Sequence, residues 1–149
     1  MTSNSSQSPA TLFDALMSGP ILVPIDMRHA QASDKSVAMA ADLARHADCA
    51  LHILTVAHPF GVHLSETADA ARPAFEAHVS ALSERHGLSI LGHFHSHESP
   101  EQLILDVVRD QNVGLVVMAT HDPRLSDHIF GSHAARIVRD APCSVLVVR

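Results

Sequence analysis

The stretch VGLVVMAT, Val113–Thr120, is apolar at nearly every position. A strand with one wet face alternates apolar and polar residues. One that does not alternate is buried on both sides, as in a parallel sheet covered by helices. Parallel neighbours in turn require long crossovers, usually helices.

Four other segments meet that demand. ILVPID (Ile21–Asp26) reads as a buried strand ending in an acid, and ALHILTV (Ala50–Val56) as a second. LSILGHFHSH (Leu88–His97) alternates like a strand, and CSVLVVR closes the chain as the last. Helical patterns fall between them. After the loop MRHAQA, Ser33 can cap a helix with Val37, Ala40, Ala41 and Ala44 on its apolar side. Beyond HPFG, Phe75, Val79 and Leu82 are helically spaced over about Glu66 to Arg85, and Gly87 stops that helix. Ser99-Pro100-Glu101-Gln102 has the form of a capping box leading to Leu103, Ile104, Val107 and Val108. A last helix runs from about Ser132 to Arg139 and ends at Ala141-Pro142. The expected fold is a single α/β domain with a five-stranded parallel sheet and helices on both faces.

The domain is expected over 20–149, after an N-terminal extension, 1–19. Met1 to about Ser8 reads as a flexible tail, and Thr11–Met17 as a short apolar turn or helix ended by Gly19-Pro20. The polar opening MTSNSSQSPA lacks the basic start and apolar stretch of a secretory signal. No apolar run reaches the roughly 20 residues of a membrane span. Cys49 and Cys143 form no CxxC and read as buried free thiols. A cytoplasmic protein without a membrane association is expected. The net charge is −6 and the chain has no Trp or Tyr, which argues against nucleic acid as a partner. The 13 histidines could reverse the sign of the surface near pH 6, although drift in surface composition explains them more simply.

Open parallel sheets bind ligands at the carboxyl ends of their strands. Here those ends are Asp26, Val56 and Thr120. The segment MATHDPRLSDHIFGSHAARIV, Met118–Val138, has the outline of a phosphate loop, a strand leading through a loop into a helix, but its loop contains a single glycine. Asp26 can accept a hydrogen bond from an adenine amino group or a ribose hydroxyl. Ile25 and Val56 can offer backbone groups and apolar surface, with Pro24, Met118 and Ala119 along the walls. The helix start at Gly131-Ser132 presents amides and a partial positive charge to phosphates. His121, His133 and Arg124 can add donors or charge. Asp122 opposes them: a carboxylate about 4 Å from a phosphate charge repels it by about 4 kcal/mol at an effective dielectric of 20, unless a metal bridges the two. The simpler alternatives are that Asp26 caps a turn and that Gly131-Ser132 only starts a helix.

ILVPID, LHILTV, SPEQLIL, VVMATH and GSHAARIVRDAPCSVLVVR, in that order and spacing, resemble the universal stress protein family over about Pro20 to Arg149, most closely its F/G-type branch. The resemblance implies an adenine nucleotide alpha hydrolase-like sheet ordered 3-2-1-4-5. It also implies a homodimer paired through the C-terminal strand, 144–149, and a role in stress survival. Many members bind ATP and others do not. ATP-binding members carry Gly, two residues, Gly, nine residues, then Gly-Ser or Gly-Thr. Here Ala119 and Asp122 occupy the first two glycine positions, and the spacer Pro123–Phe130 has eight residues, while Gly131 and Ser132 match. In the F/G-type branch a similarly substituted loop is compatible with ATP.

His93, His95 and His97 form HxHxH on the third strand, with alternate residues roughly 7 Å apart on one face. Such a pattern can hold zinc when another ligand converges, but solvated or helix-packed imidazoles at a sheet edge are the plainer expectation. The functional reading is a cytoplasmic dimeric stress-response module binding ATP or another adenine nucleotide, with Mg2+, and acting on an unknown protein partner. A nucleotide-free dimeric scaffold is the alternative. An enzyme using His121 or His133 for slow ATP hydrolysis or autophosphorylation comes third, because no nucleophile–base pair or Walker lysine is present.

Overall fold

A computed structural model describes residues 17–57, 68–120 and 132–149, with the side chains of 68, 132 and 133 excepted. The expectations for the tail, for Thr11–Asp14, Ala15 and Leu16, and for the HPFG break fall outside the described residues.

Five strands, β1 (Ile21–Ile25), β2 (Leu51–Ala57), β3 (Ile90–Ser96), β4 (Leu115–Ala119) and β5 (Ser144–Val148), form one parallel sheet in the order β3-β2-β1-β4-β5. Among the described residues four α-helices cover it: α1 (Asp34–Ala47), α2 (Arg72–His86), α3 (Pro100–Asp110) and α4 (Ser132–Asp140). Helices α1 and α2 pack on one face through Val37, Ala40, Ala41, Phe75, Val79 and Leu82, against Ile21, Val23, Ile53 and Val117. Helices α3 and α4 pack on the other through Ile104, Val107, Val108 and Ile137, against Leu22, Leu54, Val116 and Met118. This is the arrangement expected of strands without alternation.

Several boundaries differ for local reasons. MRHAQA is not a loop: Met27–Ser33 forms a 3-10 segment, capped at its start by Asp26. Ser33 precedes α1 but makes no side-chain cap bond there; it is buried, and its carbonyl accepts from the Ser36 hydroxyl at 2.8 Å. Helix α2 begins only at Arg72, where Pro73 suits the first turn, after a 3-10 turn at Ala68–Ala71. At its end Gly87 takes φ +61°. Leu88 closes that cap by donating its N–H to the Ser83 carbonyl, so β3 starts two residues later than alternation suggests. Ser99 does cap α3, accepting from the Gln102 N–H at 3.4 Å. The capping box is half formed, because the Ser99 N–H donates to His97 Nδ1 at 2.9 Å instead of to Gln102. The Gln102 side chain bonds Asp106 and Arg136. Both cysteines are free and half-buried, and burial raises both thiols, the carboxylate of Asp48 adding to the effect at Cys49.

Candidate functional site

Strands β2, β1 and β4 lie side by side, so their carboxyl ends gather Ile25, Asp26, Val56, Met118 and Ala119. The ladder between β1 and β4 pairs only Ile21 with Leu115 and Leu22 with Val116. Pro24 explains where it stops. The Ile21 N–H donates to the Ala50 carbonyl on the β2 side, and the Pro20 carbonyl accepts from Gly114 on the β4 side. Alternation therefore turns the peptide groups of residues 22 and 24 toward β4. Proline has no N–H to give, and the pairing lapses. On the other side β1 remains tied to β2 up to Ile25 opposite Thr55, whose buried hydroxyl donates to the Ile25 carbonyl at 3.1 Å. The chain order also changes direction at β1. The ladder thus opens at the topological switch point, where parallel sheets form their ligand crevices.

Asp26 stands at the mouth of this opening and is already engaged. Its Oδ1 accepts from the Arg28 backbone N–H at 2.9 Å and from Arg28 Nε at 3.0 Å, and its Oδ2 accepts from Arg28 Nη2 at 2.7 Å. His29 Nδ1 lies 3.6 Å from Oδ2. The Arg28 side chain is the main cause that holds the carboxyl at about 2, against an opposing push from burial. Lys35, in the first turn of α1, donates through Nζ to the Arg149 carbonyl beyond β5. Pro24, Val56 and Ala119 are partly exposed, whereas Ile25 and Met118 are buried. Met118 packs in the core with α3 and α4, so it is more a support than a wall.

His121, Asp122, Arg124 and Gly131 fall outside the described residues. For Ser132 and His133 the backbone is described, and it opens α4. Sequence reasoning missed Arg28 and Thr55. An opposite charge two residues after the strand-ending acid was the available signal for Arg28.

The histidines lie on the α3/α4 face of β2 and β3, with His95 in register with Val56. His97 Nδ1 accepts from the Ser99 N–H. His93 instead meets His52 of β2, Nε2 to Nδ1, at 3.1 Å. His52 was missed as well; a titratable residue inside the mostly apolar LHILTV was its signal. Burial lowers the His52 pKa, and burial followed by the charges of His52 and His95 lowers that of His93. Among the described residues, no three His, Cys, Asp or Glu side chains already converge as a metal site, so His93, His95 and His97 do not form one as a trio. On the opposite face a shallow cleft of about 180 Å³ lies between α2 and β3, where the Arg72 guanidinium sits 4.6 Å above the Phe94 ring. Among the described residues, no helix is long and apolar enough to cross a membrane.

The sheet order and the lapse of pairing beside Pro24 define an open α/β protein whose topological switch point lies at β1. The chain belongs to the universal stress protein family, whose sequence profile, described as "Universal stress protein family", matches residues 17–149. It is 31% identical over 142 residues to universal stress protein G of Salmonella typhimurium, covering 87% of this chain and 97% of that one. Identity is 32% to universal stress protein G of Escherichia coli O157:H7, with the same coverage. Among solved structures, UspA of Lactobacillus plantarum superposes with a TM-score of 0.69 at 22% identity, covering 88% of this chain and 97% of that one. A universal stress protein in complex with cAMP gives 0.69 at 18%, covering 88% and 96%. One from Archaeoglobus fulgidus in complex with dAMP gives 0.65 at 20%, covering 89% and 99%.

Proposed function

We propose that this chain is a cytoplasmic, homodimeric stress-response module that binds ATP, with Mg2+, at the carboxyl ends of β1, β2 and β4. The observation that carries the reading is the lapse of the β1–β4 ladder after Leu22, which opens the sheet beside Asp26. Two relatives of the same fold are complexes with adenine nucleotides, cAMP and dAMP, which supports that ligand class. The partly exposed Val56 offers an adenine ring apolar surface and peptide groups. Asp26 receives a ribose hydroxyl or the adenine amino group on the lone pairs that Arg28 leaves. The amides at the start of α4 receive phosphate, with Gly131, the Ser132 hydroxyl, His121, Arg124 and His133 as further donors and Mg2+ offsetting Asp122. Ile25 and Ala119 contribute backbone at the rim, and Pro24 and Met118 hold its base. Occupancy of the crevice is the signal read by a protein partner; any phosphate transfer is slow.

Calorimetry with ATP and magnesium, together with acid extraction of freshly purified protein, tests this. Saturable heat and a co-purified adenine nucleotide are expected. Absence of both rejects the nucleotide reading.

The Arg28 clamp favours one second reading, a nucleotide-free dimeric scaffold in which Asp26 only caps Met27–Ser33. In that case Asp26→Ala and Ser132→Ala leave the stress phenotype of a cell intact.

A further inference from the structure

His52 and His93 lie on the α3/α4 face of the sheet: His52 alternates with Leu54, which packs there, and His93 pairs opposite Leu54. Their contact joins an inner strand, β2, to the edge strand β3. His52 Nδ1 and His93 Nε2 are 3.1 Å apart, an ordinary hydrogen bond. One ring must donate there and the other accept, which two neutral imidazoles can do. One added proton can still be shared along that line. A second cannot, because both nitrogens then carry hydrogens and turn them on each other.

His52 is only 7% exposed, and its surroundings do not compensate a charge. Beside it β1 places Leu22 and β3 places Leu91. Helices α3 and α4 pack on this face through Ile104, Val107, Val108 and Ile137. The charged residues of α3 are engaged elsewhere or exposed: Asp106 meets Gln102 and Arg109, Glu101 meets Ser99, and Asp110 is exposed. On α4, Arg136 bonds Gln102 and Arg139 bonds Asp140. Among the described residues, the titratable group facing the pair is another imidazole, His95, stacked 6.5 Å from His93 at an angle of 11°. In acid it adds a third positive charge. Burial lowers the pKa of both rings, and at His93 the charges of His52 and His95 add to the effect. Because the folded values lie below the ordinary 6.5, the neutral pair stabilises fully above that pH and its contribution is lost as pH falls through the folded values.

We propose that the His52–His93 pair is an acid latch: it ties β3 to the sheet at neutral pH, and charging of both rings frees the β3 edge while the other four strands stay paired. Strands β1, β4 and β5 read ILVPI, LVVMA and SVLVV and contain no titratable side chain, so acid has no comparable point of attack on them. Release uncovers Phe94, whose ring packs 5.8 Å from that of Phe75 on α2, and so presents apolar surface only in acid. The inference does not rest on nucleotide binding.

Amide hydrogen exchange of the full chain, followed by NMR from about pH 7.5 to about pH 5, spans the range in which imidazoles titrate and tests the latch. The probes are the N–H of His97, which donates to the Ala57 carbonyl, and those of His95 and His93, which alternation also turns toward β2. After correction for the intrinsic pH dependence of exchange, their protection should fall by about tenfold or more per pH unit in acid, the slope set by one or more protons taken up on opening. The N–H groups of Ile21 and Thr120, bonded to the carbonyls of Ala50 and Val148, should keep their protection. His93→Gln retains an amide that can donate to His52 Nδ1 but cannot become charged, and it should remove most of the acid response. His86→Ala, at the end of α2 on the opposite face, should respond like the wild type. Unchanged protection of β3 in acid overturns the proposal, as does an equal loss at Ile21 and Thr120, or a His93→Gln protein as acid-sensitive as the wild type.

Discussion

The Arg28 guanidinium lies across both oxygens of Asp26, with Nε 3.0 Å from Oδ1 and Nη2 2.7 Å from Oδ2. The carboxyl is held at about 2, below its ordinary 3.8. Because the folded value is the lower one, the ionised carboxylate stabilises the fold fully above pH 3.8, and that contribution is lost as pH falls toward 2. At about 1.4 kcal/mol per pKa unit the ceiling is about 2.5 kcal/mol. Arg28 is 72% exposed, and solvent screening brings the expected contribution nearer to ~1 kcal/mol. Urea unfolding of the wild type and Asp26→Asn should differ by that amount at neutral pH and converge near pH 2. A gap that persists in acid would assign the effect to something other than ionisation.

Gly19 and Gly92 are predicted to differ sharply in tolerance. A Cβ on Gly19 would lie 2.0 Å from the Asn112 carbonyl oxygen, a backbone atom that cannot move without parting the entries of β1 and β4. A Cβ on Gly92 would meet ends of the Phe75 and Val79 side chains at 3.1 Å. Gly19→Ala should cost about 3 kcal/mol or more, and Gly92→Ala about 1 kcal/mol, the range in which overpacking is felt. Denaturant midpoints measure both, and the reverse ranking would contradict the packing described.

Thr55→Val removes the hydroxyl that bonds the Ile25 carbonyl while keeping the shape of a buried side chain. The β1–β2 ladder still offers that carbonyl a backbone donor. The loss should therefore be small, about 0.5–1 kcal/mol, with the fold retained. A loss several times larger, read from the thermal midpoint, would mean that the hydroxyl organises the crevice mouth beyond this one bond.

What was legible in the sequence depended on how local its cause is. Runs such as LVVMA and ILVPI declare burial on both faces through residue type alone, and Gly87 and Ser99-Pro100 mark helix ends by their own backbone chemistry. The 3-10 segment at Met27–Ser33 has no apolar period, and it exists because Asp26 caps it. The lapse of pairing at Pro24 was unreadable until β4 was known to be its neighbour. The His52–His93 contact links residues 41 apart through the β2–β3 register, which no spacing rule contains. At the site, the strand-end residues followed from the parallel-sheet rule. The partners of Asp26 did not, because an arginine in a short connection carries no periodic signal.

The remaining prediction concerns β5, the edge strand through which we propose the dimer forms. The Thr120 N–H donates to the Val148 carbonyl, so the peptide groups of Val148, Leu146 and Ser144 face β4. Those of Val145 and Val147 then point away from the sheet, the side on which the strand of a second copy would pair. Their side chains are partly exposed and pack against the α3/α4 core, so a charged replacement would confound association with stability. Proline separates the two. Val147→Pro removes one outward N–H and sets a ring against an approaching strand, yet takes no hydrogen bond from the β4 ladder. Edge strands accept proline on this side. Native mass spectrometry should find a dimer for the wild type and a monomer for Val147→Pro. The far-ultraviolet spectrum should be unchanged, and the thermal midpoint should not depend on protein concentration. Leu146→Pro, which withdraws an inward donor, should unfold the edge itself. A Val147→Pro protein that remains dimeric would move the dimer interface away from β5.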